Sequence, residues 1–256
     1  MSERAGGGVA ARALRGIPEV RPGDDLAALI ATARGDDGFA PGEVLVVAHK
    51  VVSKAEGRMV ALSGVVASPR AIELAAKLGK DDPRPTEVVL RETAEVVRAE
   101  RGVLISRTHH GFVCANAGVD ASNAADAGEL ILLPVDPDAS ARALRAALPG
   151  HPAVVIADSF GRAWRHGQCD VAVGIAGLAP LEDWRGKTDA HGRELKATWI
   201  ATADQAAAAA DLARGGKDAG EPAVVVTGLD RHVLPAGGDG PGVRALVRSR
   251  EEDLFG

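Results

Sequence analysis

A carboxylate and a hydroxyl stand at the end of a strongly apolar run near the middle of the chain. Asp158 and Ser159 directly follow residues 154–157, a run that predicts a buried strand. Both side chains offer the oxygen atoms that Mg²⁺ and Mn²⁺ prefer. Arg162 and Arg165 would share one face if this stretch were helical, where their charges could stabilise a phosphoryl group in transfer. The competing interpretation is a cluster of arginine–aspartate ion pairs that supports the core.

A second segment, residues 114–123, consists of small residues interleaved with carboxylate and amide side chains. Asp120 is its candidate metal ligand, because a hard cation takes oxygen ligands. Asn116 and Asn123 could hydrogen-bond a base or a sugar. The alternative is a polar turn in which these side chains bond their own backbone.

A third segment is basic and follows the apolar run Val44–Ala48, which predicts another buried strand. Lys50, Lys54 and Arg58 lie just after this strand, where binding loops are commonly placed. Their charges could neutralise phosphate groups. A solvated basic surface loop is the competing interpretation.

The composition of the chain limits the classes of function. Its 256 residues carry a formal net charge of −5, whereas a general binder of nucleic acid is normally basic. No apolar run is long enough to span a membrane, and the N-terminus lacks a secretory signal. Cys114 and Cys169 form no metal or disulfide pattern, so we expect a cytoplasmic protein without nucleic-acid or membrane partners. Gly186-Lys187-Thr188 is not a phosphate-binding loop, because Leu181 stands where its first glycine is needed.

Helix and strand signals are mixed without a regular rhythm, which favours an α+β fold with mixed or antiparallel sheets and flanking helices. Asp136-Pro137 predicts the start of a helix that runs over 138–148, and Thr202 with Gln205 predicts a capping box for an alanine-rich helix. Residues 237–242 are glycine-rich and predict a linker before a short helix at 243–254. We therefore divide the chain into a flexible N-terminus (1–12), a main unit of one or two intimate subdomains (13–230), and a C-terminal linker and helix (231–256).

Six blocks of sequence resemble the coenzyme F420-0:γ-glutamyl ligase family. They are GIPEV (16–20), LVVAHKVVSKAEGR (45–58), CANAGVDASN (114–123), LLPVDPDASA (132–141), IADSFGRAWRHGQCDVAVG (156–174) and LEDWRGKTDAHGREL (181–195). They stand in the family's order, and the resemblance runs from about residue 16 to 228. No single block would suffice to establish it. The resemblance makes residues 13–230 the catalytic unit.

The resemblance implies a fold unlike that of other amide ligases, arranged as an intertwined homodimer. It also implies the use of GTP, of a pair of Mg²⁺ or Mn²⁺ ions per subunit, and of K⁺. The metal ligands would be Asp120, Asp158 and Ser159, and the catalytic residues would be Lys54, Asp120 and Asp158. The positions that would bind the nucleotide are Ile17, Pro18, Glu19, Val20, His49, Lys50, Lys54, Asn123, Arg214, Gly215, Gly216, Lys217, Asp218, Ala219, Gly220 and Glu221.

Four positions depart from the family pattern. His49 stands where we expect a small hydroxyl residue, and Ser159 and Cys169 stand where threonine is common. Gly216 falls where some relatives place an acidic metal ligand, which puts the ligand set of the second metal in doubt and makes Asp218 a candidate substitute. Some relatives continue past residue 255 into a nitroreductase-like domain, and we expect its reductive activity to be missing here.

The function that the resemblance implies is GTP-dependent addition of L-glutamate to coenzyme F420-0 in coenzyme F420 biosynthesis, and whether further γ-linked glutamates follow stays open. GTP would phosphorylate a carboxylate of the cofactor, and the amine of glutamate would then displace phosphate from the acyl phosphate. His109, His110 and His166 are candidates for removing the amine proton only because histidine titrates near neutrality. A surface or structural role competes for each of them.

Two other functions stay open from the sequence. A related amide ligase could use another acceptor or amino acid, and a non-catalytic GTP-binding protein would fit the departures at His49 and Gly216. An oxidoreductase that uses coenzyme F420, a deazaflavin cofactor, is disfavoured, because no recognised flavin or dinucleotide motif occurs.

Overall fold

The structure is a computed structural model that describes residues 8–122, 128–216, 218–235 and 237–253. Asn123 and Lys217, both predicted to bind the nucleotide, lie outside the described residues. The described helices are α1 (Leu26–Arg34), α2 (His49–Ala55), α3 (Pro69–Lys77), α4 (Arg84–Arg91), α5 (Pro137–Ala147) and α6 (Thr202–Ala213). The described strands are β1 (Ala10–Ala13), β2 (Val44–Ala48), β3 (Met59–Ala61), β4 (Thr93–Glu100), β5 (Val103–Thr108), β6 (Val113–Ala115), β7 (Glu129–Ile131), β8 (Ala153–Arg162), β9 (Arg165–Ala176), β10 (Glu182–Asp183), β11 (Trp199–Ile200) and β12 (Ala223–Thr227).

The largest described sheet has five strands in the order β1–β12–β2–β8–β9. β2 and β8 run parallel, and the other neighbouring strands are antiparallel. The two predicted apolar runs lie in central strands, where residues 44–47 and 154–156 are almost completely buried, as are residues 224–226 of β12. A strand that is covered on both faces needs apolar side chains throughout. The predicted α+β class with a mixed sheet is confirmed.

The two longest described helices pack against the strands of this sheet. α5 and α6 both contact β9, and α6 also contacts β1 and β12. α5 begins as predicted, because Asp136 accepts a hydrogen bond from the N–H of Ala139 at 2.9 Å and Pro137 occupies the first turn. The capping box predicted for α6 is wrong: Ala201 is the N-cap, without a side-chain hydrogen bond. In the described part of the chain, every helix is too short or too polar to cross a membrane.

A smaller layer lies beside β8. β4, β5 and β6 form an antiparallel sheet, and α3 and α4 pack with it around Leu78, Val89 and Leu104. β6 contacts β8, so this layer meets the main sheet at the strand that carries Asp158. The cavity described below lies where these two layers meet.

β8 and β9 form a long antiparallel hairpin that reaches beyond the core. Arg162 and Arg165 are direct partners at its end, so the helical arrangement considered for them does not occur. Trp164, with φ +57°, takes part in the reversal between them. Pairing with β9 supplies hydrogen-bond partners to the backbone of β8 as far as Arg162. A helix of only a few residues would have to nucleate without such partners, which is unfavourable.

The predicted ends of the chain need two corrections. Ala10–Ala13 pairs with β12, so the flexible N-terminus predicted for residues 1–12 does not extend through residues 10–12. The helix predicted for 243–254 is replaced by two 3-10 turns, Val243–Leu246 and Arg250–Glu252. In the predicted linker, Asp239 lies 3.2 Å from Arg145, so an ion pair with α5 fixes this segment. The rest of the division into units stays a prediction.

Candidate active site

The parallel register of β2 and β8 brings the ends of these two strands together. Ala48 lies beside Ala157, so the residues that follow, His49 and Asp158, lie side by side. Nε2 of His49 is 3.2 Å from Oδ1 of Asp158, and the imidazole is 2% exposed. The same oxygen accepts a hydrogen bond from the N–H of Ser159 at 2.7 Å. The carboxylate of Asp158 is therefore held by His49, which the strand register places beside it, and by the N–H of the next residue of its own strand.

A chain of three polar side chains starts at the next residue. Ser159 and Asp170 are cross-strand partners in the β8–β9 hairpin, and Oγ of Ser159 donates a hydrogen bond to Oδ1 of Asp170 at 2.6 Å. Oδ2 of Asp170 accepts a hydrogen bond from Arg214 at 2.5 Å. Asp170 is 2% exposed, so a buried carboxylate joins the end of the apolar part of β8 to the loop after α6. The sequence alone does not single out Asp170, because only the hairpin register shows that it faces Ser159.

Helix α2 directs two lysines, one turn apart, toward acidic partners. Nζ of Lys50 is 2.8 Å from Oδ2 of Asp120 and 2.5 Å from Oγ of Ser122. Nζ of Lys54 is 2.5 Å from Oε1 of Glu19, and the Lys54 side chain is 5% exposed. The basic segment after β2 is therefore a helix with ion pairs, and the competing interpretation of a solvated loop is wrong for these two lysines.

Asp120 reaches the site from the segment that precedes β7. Its backbone exchanges hydrogen bonds of 3.0 and 2.8 Å with Ile131, and its Oδ1 accepts a hydrogen bond from the N–H of Ser122 at 2.6 Å. Asp120 and Asp158 line one cavity of about 360 Å³. Its other lining residues are Lys80, Pro85, Val89, Cys114, Ala115, Asn116, Gly118, Val119, Ala121, Leu130, Ser159, Phe160, Gly161 and Gln168. The structure thus brings the three predicted metal ligands to one place.

The two aspartates are ionised at neutral pH despite their burial. Burial alone would raise the pKa of Asp158, but the neighbouring His49, together with the Ser159 N–H, holds it below the ordinary aspartate value. Burial also opposes ionisation of Asp120, whose pKa is nevertheless lowered by hydrogen bonds from Lys50 and Ser122. The charge of Asp120 acts against ionisation of Asp158, as expected for two carboxylates that share a cavity. The cavity therefore attracts cations.

Cys114 lines the same cavity in an unreactive form. Burial, and then the charge of Asp158, raise the pKa of this thiol to about 12. A thiol must lose its proton to act as a nucleophile or as a metal ligand. Cys114 is therefore a neutral wall residue near neutral pH.

The side chains of the cavity fit a cation that shares its ligands with a substrate. Within the described ranges no cluster of three or more histidine, cysteine or acidic side chains could hold a metal, so no protein cage like that of structural zinc is built there. Mg²⁺ takes one or two carboxylates and completes its shell with water and phosphate oxygens. Asp120 and Asp158 supply such a pair. The buried Oδ1 of Asn116, which accepts no hydrogen bond from a described residue, is a further oxygen of a cavity-lining residue.

The other predicted nucleotide positions lie in two loops. Ile17 and Val20 bury their side chains in the core, so at these two positions only the backbone can face a ligand, whereas the side chains of Pro18 and Glu19 are exposed. In the loop after α6, the N–H of Gly215 donates a hydrogen bond to Glu221 at 2.9 Å. Glu221 also lies 3.0 Å from Arg15. This end of the loop thus lies near the segment that follows β1, whereas Arg214 reaches Asp170.

The three histidines considered as bases do not line the cavity formed by the described residues. Nε2 of His109 is 3.0 Å from the carbonyl oxygen of Arg91, and Nε2 of His110 is 3.0 Å from that of Pro134. His166 is exposed on the β8–β9 hairpin. The structural interpretation therefore fits His109 and His110.

Comparisons with known proteins assign the chain to a family. The family model described as F420-0:Gamma-glutamyl ligase matches residues 16–228. The chain belongs to this family. Coenzyme F420:L-glutamate ligase of Methanothermobacter thermautotrophicus is 43% identical over 97% of this chain and 99% of the relative. The proteins of that name from Methanopyrus kandleri (46% identical, 93% of each chain) and Halobacterium salinarum (44% identical, 94% of this chain and 93% of the relative) agree over similar lengths.

In this γ-glutamyl ligase family member, the departure at Gly216 has a structural counterpart. Gly216 has φ +125°, and a Cβ built there would lie 3.1 Å from Oδ1 of Asp218. The carboxylate of Asp218 therefore lies next to the space that a side chain at 216 would occupy. The role of Asp218 as the substitute for the acidic residue that some relatives place at 216 stays a prediction.

Proposed function

We propose that the protein joins L-glutamate to coenzyme F420-0 through an amide bond, with GTP as the source of energy, in the biosynthesis of coenzyme F420. Two findings support this function. The chain belongs to the F420-0:γ-glutamyl ligase family over residues 16–228, and relatives of 43–46% identity are named coenzyme F420:L-glutamate ligase. The observation that carries the chemistry is the convergence of Asp120 and Asp158 on one cavity, with Lys50 beside them.

The reaction needs activation because a carboxylate is a poor electrophile. Its charge repels an amine, and oxide is a poor leaving group. In the proposed first step, a carboxylate oxygen of the acceptor attacks the γ-phosphorus of GTP, the bond to the β-phosphate oxygen breaks, and GDP leaves. In the second step the amine nitrogen of glutamate attacks the acyl carbon, phosphate leaves with the C–O bond electrons, and the nitrogen gives up a proton to water or buffer.

The protein supplies position and charge in both steps. Asp120, Asp158 and Ser159 would hold divalent cations, which neutralise phosphate charge when they are bound. Lys50 and Lys54 place two ammonium groups on one face of α2, and Glu19 orients the second of them at 2.5 Å. The proposal extends to a pair of Mg²⁺ or Mn²⁺ ions, to K⁺ and to a homodimer, which rest on the resemblance to the family.

Ser159 is suited to accept rather than to donate within the site. Its hydroxyl proton is committed to Asp170 at 2.6 Å, so toward another neighbour its oxygen presents lone pairs. Such an oxygen can bind a cation. Ser159 also occupies a position where threonine is common, and both residues keep this oxygen.

Mass spectrometry of the acceptor before and after reaction tests the function. Purified protein with coenzyme F420-0, isotope-labelled glutamate, GTP and Mn²⁺ should give a product heavier by labelled glutamyl units, together with one GDP for each unit. Omission of GTP, or chelation of the metal, should abolish the product. Product formed only with another acceptor or amino acid would assign a related ligase activity, and GTP binding without GDP release in the complete mixture would refute catalysis.

A further inference from the structure

Lys80 stands apart from the other residues of the cavity. It follows α3 after the turn at Gly79, which has φ +68°, and it lines the cavity together with Pro85 and Val89. Among the described residues that line the cavity, it is the one that carries a positive charge. Asp120 and Asp158 belong to the other walls of the same space.

The ammonium of Lys80 has no acidic partner among the described residues, where no ion pair joins it to a carboxylate. The lysines on α2 differ, since Lys50 pairs with Asp120 and Lys54 pairs with Glu19. Burial lowers the pKa of Lys80, and no neighbouring charge contributes to the shift. A partly desolvated cation without a counter-charge is unfavourable unless a ligand supplies that charge.

The position of Lys80 suits an anion that must approach the two aspartates. An acid substrate entering a cavity that contains Asp120 and Asp158 is repelled by both. A positive charge on the wall formed by α3 and α4 offsets that repulsion.

We propose that Lys80 binds a carboxylate of one of the two acid substrates, L-glutamate or the acceptor, and so positions it for amide formation. This inference rests on the proposed function. A carboxylate fits better than the triphosphate, because a single ammonium matches a single charge, whereas a triphosphate needs several cations. The lysines available for the nucleotide are those of α2.

Substitution of Lys80 by methionine tests this role, because methionine keeps much of the length and removes the charge. Isothermal titration of glutamate, and separately of the acceptor, into the full-length protein measures binding without turnover. We expect Lys80→Met to weaken binding of one of the two by about tenfold, as expected for loss of a charge-assisted hydrogen bond. Lys80→Arg should stay within about threefold of the wild type, because the charge remains. Lys77→Met, an exposed position on α3, is the matched control and should bind as the wild type does.

The outcomes separate this inference from the proposed function. Selective weakening of glutamate binding, or of acceptor binding, that arginine restores upholds the inference and identifies the substrate concerned. Unchanged binding of both substrates in Lys80→Met overturns it, even if the wild type forms product. Weakening of GTP binding alone also overturns it, because Lys80 would then belong to the nucleotide. Loss of binding that arginine does not restore would show a structural role and contradict the inference as well.

Discussion

Replacing Asp170 by asparagine keeps the shape of the side chain and removes its charge. Asp170 is 2% exposed and joins Ser159 to Arg214, whose side chain is 13% exposed. An amide oxygen can still accept one hydrogen bond, but the Arg214 guanidinium loses its counter-charge. Removing one partner of a buried ion pair lowers the free energy of unfolding by about 3–5 kcal/mol. Since Arg214 keeps some exposure, we expect a loss near the lower end, about 3 kcal/mol.

Urea unfolding of the wild type and of Asp170→Asn measures this loss directly. A loss of about 3 kcal/mol is a large part of a total stability of about 5–15 kcal/mol, and it corresponds to a melting temperature lower by about 6–12 °C in a chain of this size. Asp183→Asn is the matched control, because its ion pair with Arg185 is about half exposed. Such surface pairs contribute about 0–1 kcal/mol.

A double-mutant cycle with Arg214→Met decides whether the pair is the cause. Removing both charges leaves no uncompensated charge in the interior, so the double variant should lose clearly less stability than the sum of the two single variants. Strictly additive losses, or an Asp170→Asn protein as stable as the wild type, would refute the reasoning. Because Asp170 also orients the Ser159 hydroxyl, Mn²⁺ affinity measured by electron paramagnetic resonance should fall by about 10–100-fold in Asp170→Asn.

Asp158→Asn should abolish glutamyl transfer and Mn²⁺ binding while its far-UV circular dichroism matches that of the wild type; normal turnover in the metal-replete variant would remove Asp158 from the site. The pKa of Asp158 is lowered in the folded state, so its carboxylate stabilises the fold above its ordinary pKa of about 3.9, and this contribution is lost as the pH falls through the folded-state value. Urea unfolding at several pH values between about 3 and 6 should therefore show a shallower acid decline for Asp158→Asn than for the wild type, and identical slopes would contradict the lowered pKa. At about pH 8 a thiol-specific reagent should label Cys169 and spare the buried Cys114, whose pKa is raised to about 12. Labelling of the folded Cys169→Ser variant would show that Cys114 is accessible and would contradict this expectation.

The parts of the fold that the sequence predicted are those in which one local pattern suffices. The apolar runs at Val44–Ala48 and 154–157 became central strands because a strand covered on both faces leaves no position for a polar side chain. Asp136 with Pro137 began α5 as predicted, since the cap and the fixed φ of proline act within one turn. Thr202 does not cap α6, although Thr202 and Gln205 have the spacing of a capping box. The helix begins one residue earlier than this pattern requires, and the Thr202 hydroxyl is buried without a hydrogen-bond partner among the described residues.

The residues that sequence analysis missed depend on contacts between distant segments. Asp170 faces Ser159 only through the register of the hairpin, and a shift of one residue would turn it to the other face. Lys80 lines the cavity only because the α3–α4 layer meets β8 across a space that no single segment encloses. Asp120 and Asp158, which line one cavity, could be singled out because carboxylates among small residues or after a buried strand are visible in the sequence. Their role in metal binding stays a prediction.

Crystals grown with GTP and MnCl₂ test most directly whether Asp120 and Asp158 share a cation in front of the nucleotide. Anomalous diffraction near the manganese absorption edge locates the ion independently of the protein coordinates. We expect a peak within coordination distance, about 2.0–2.2 Å, of carboxylate oxygens of both residues, with phosphate oxygens completing the shell and Lys50 displaced from Asp120. A peak elsewhere, with Asp120 still paired to Lys50 and Asp158 still paired to His49, would contradict the proposed mechanism.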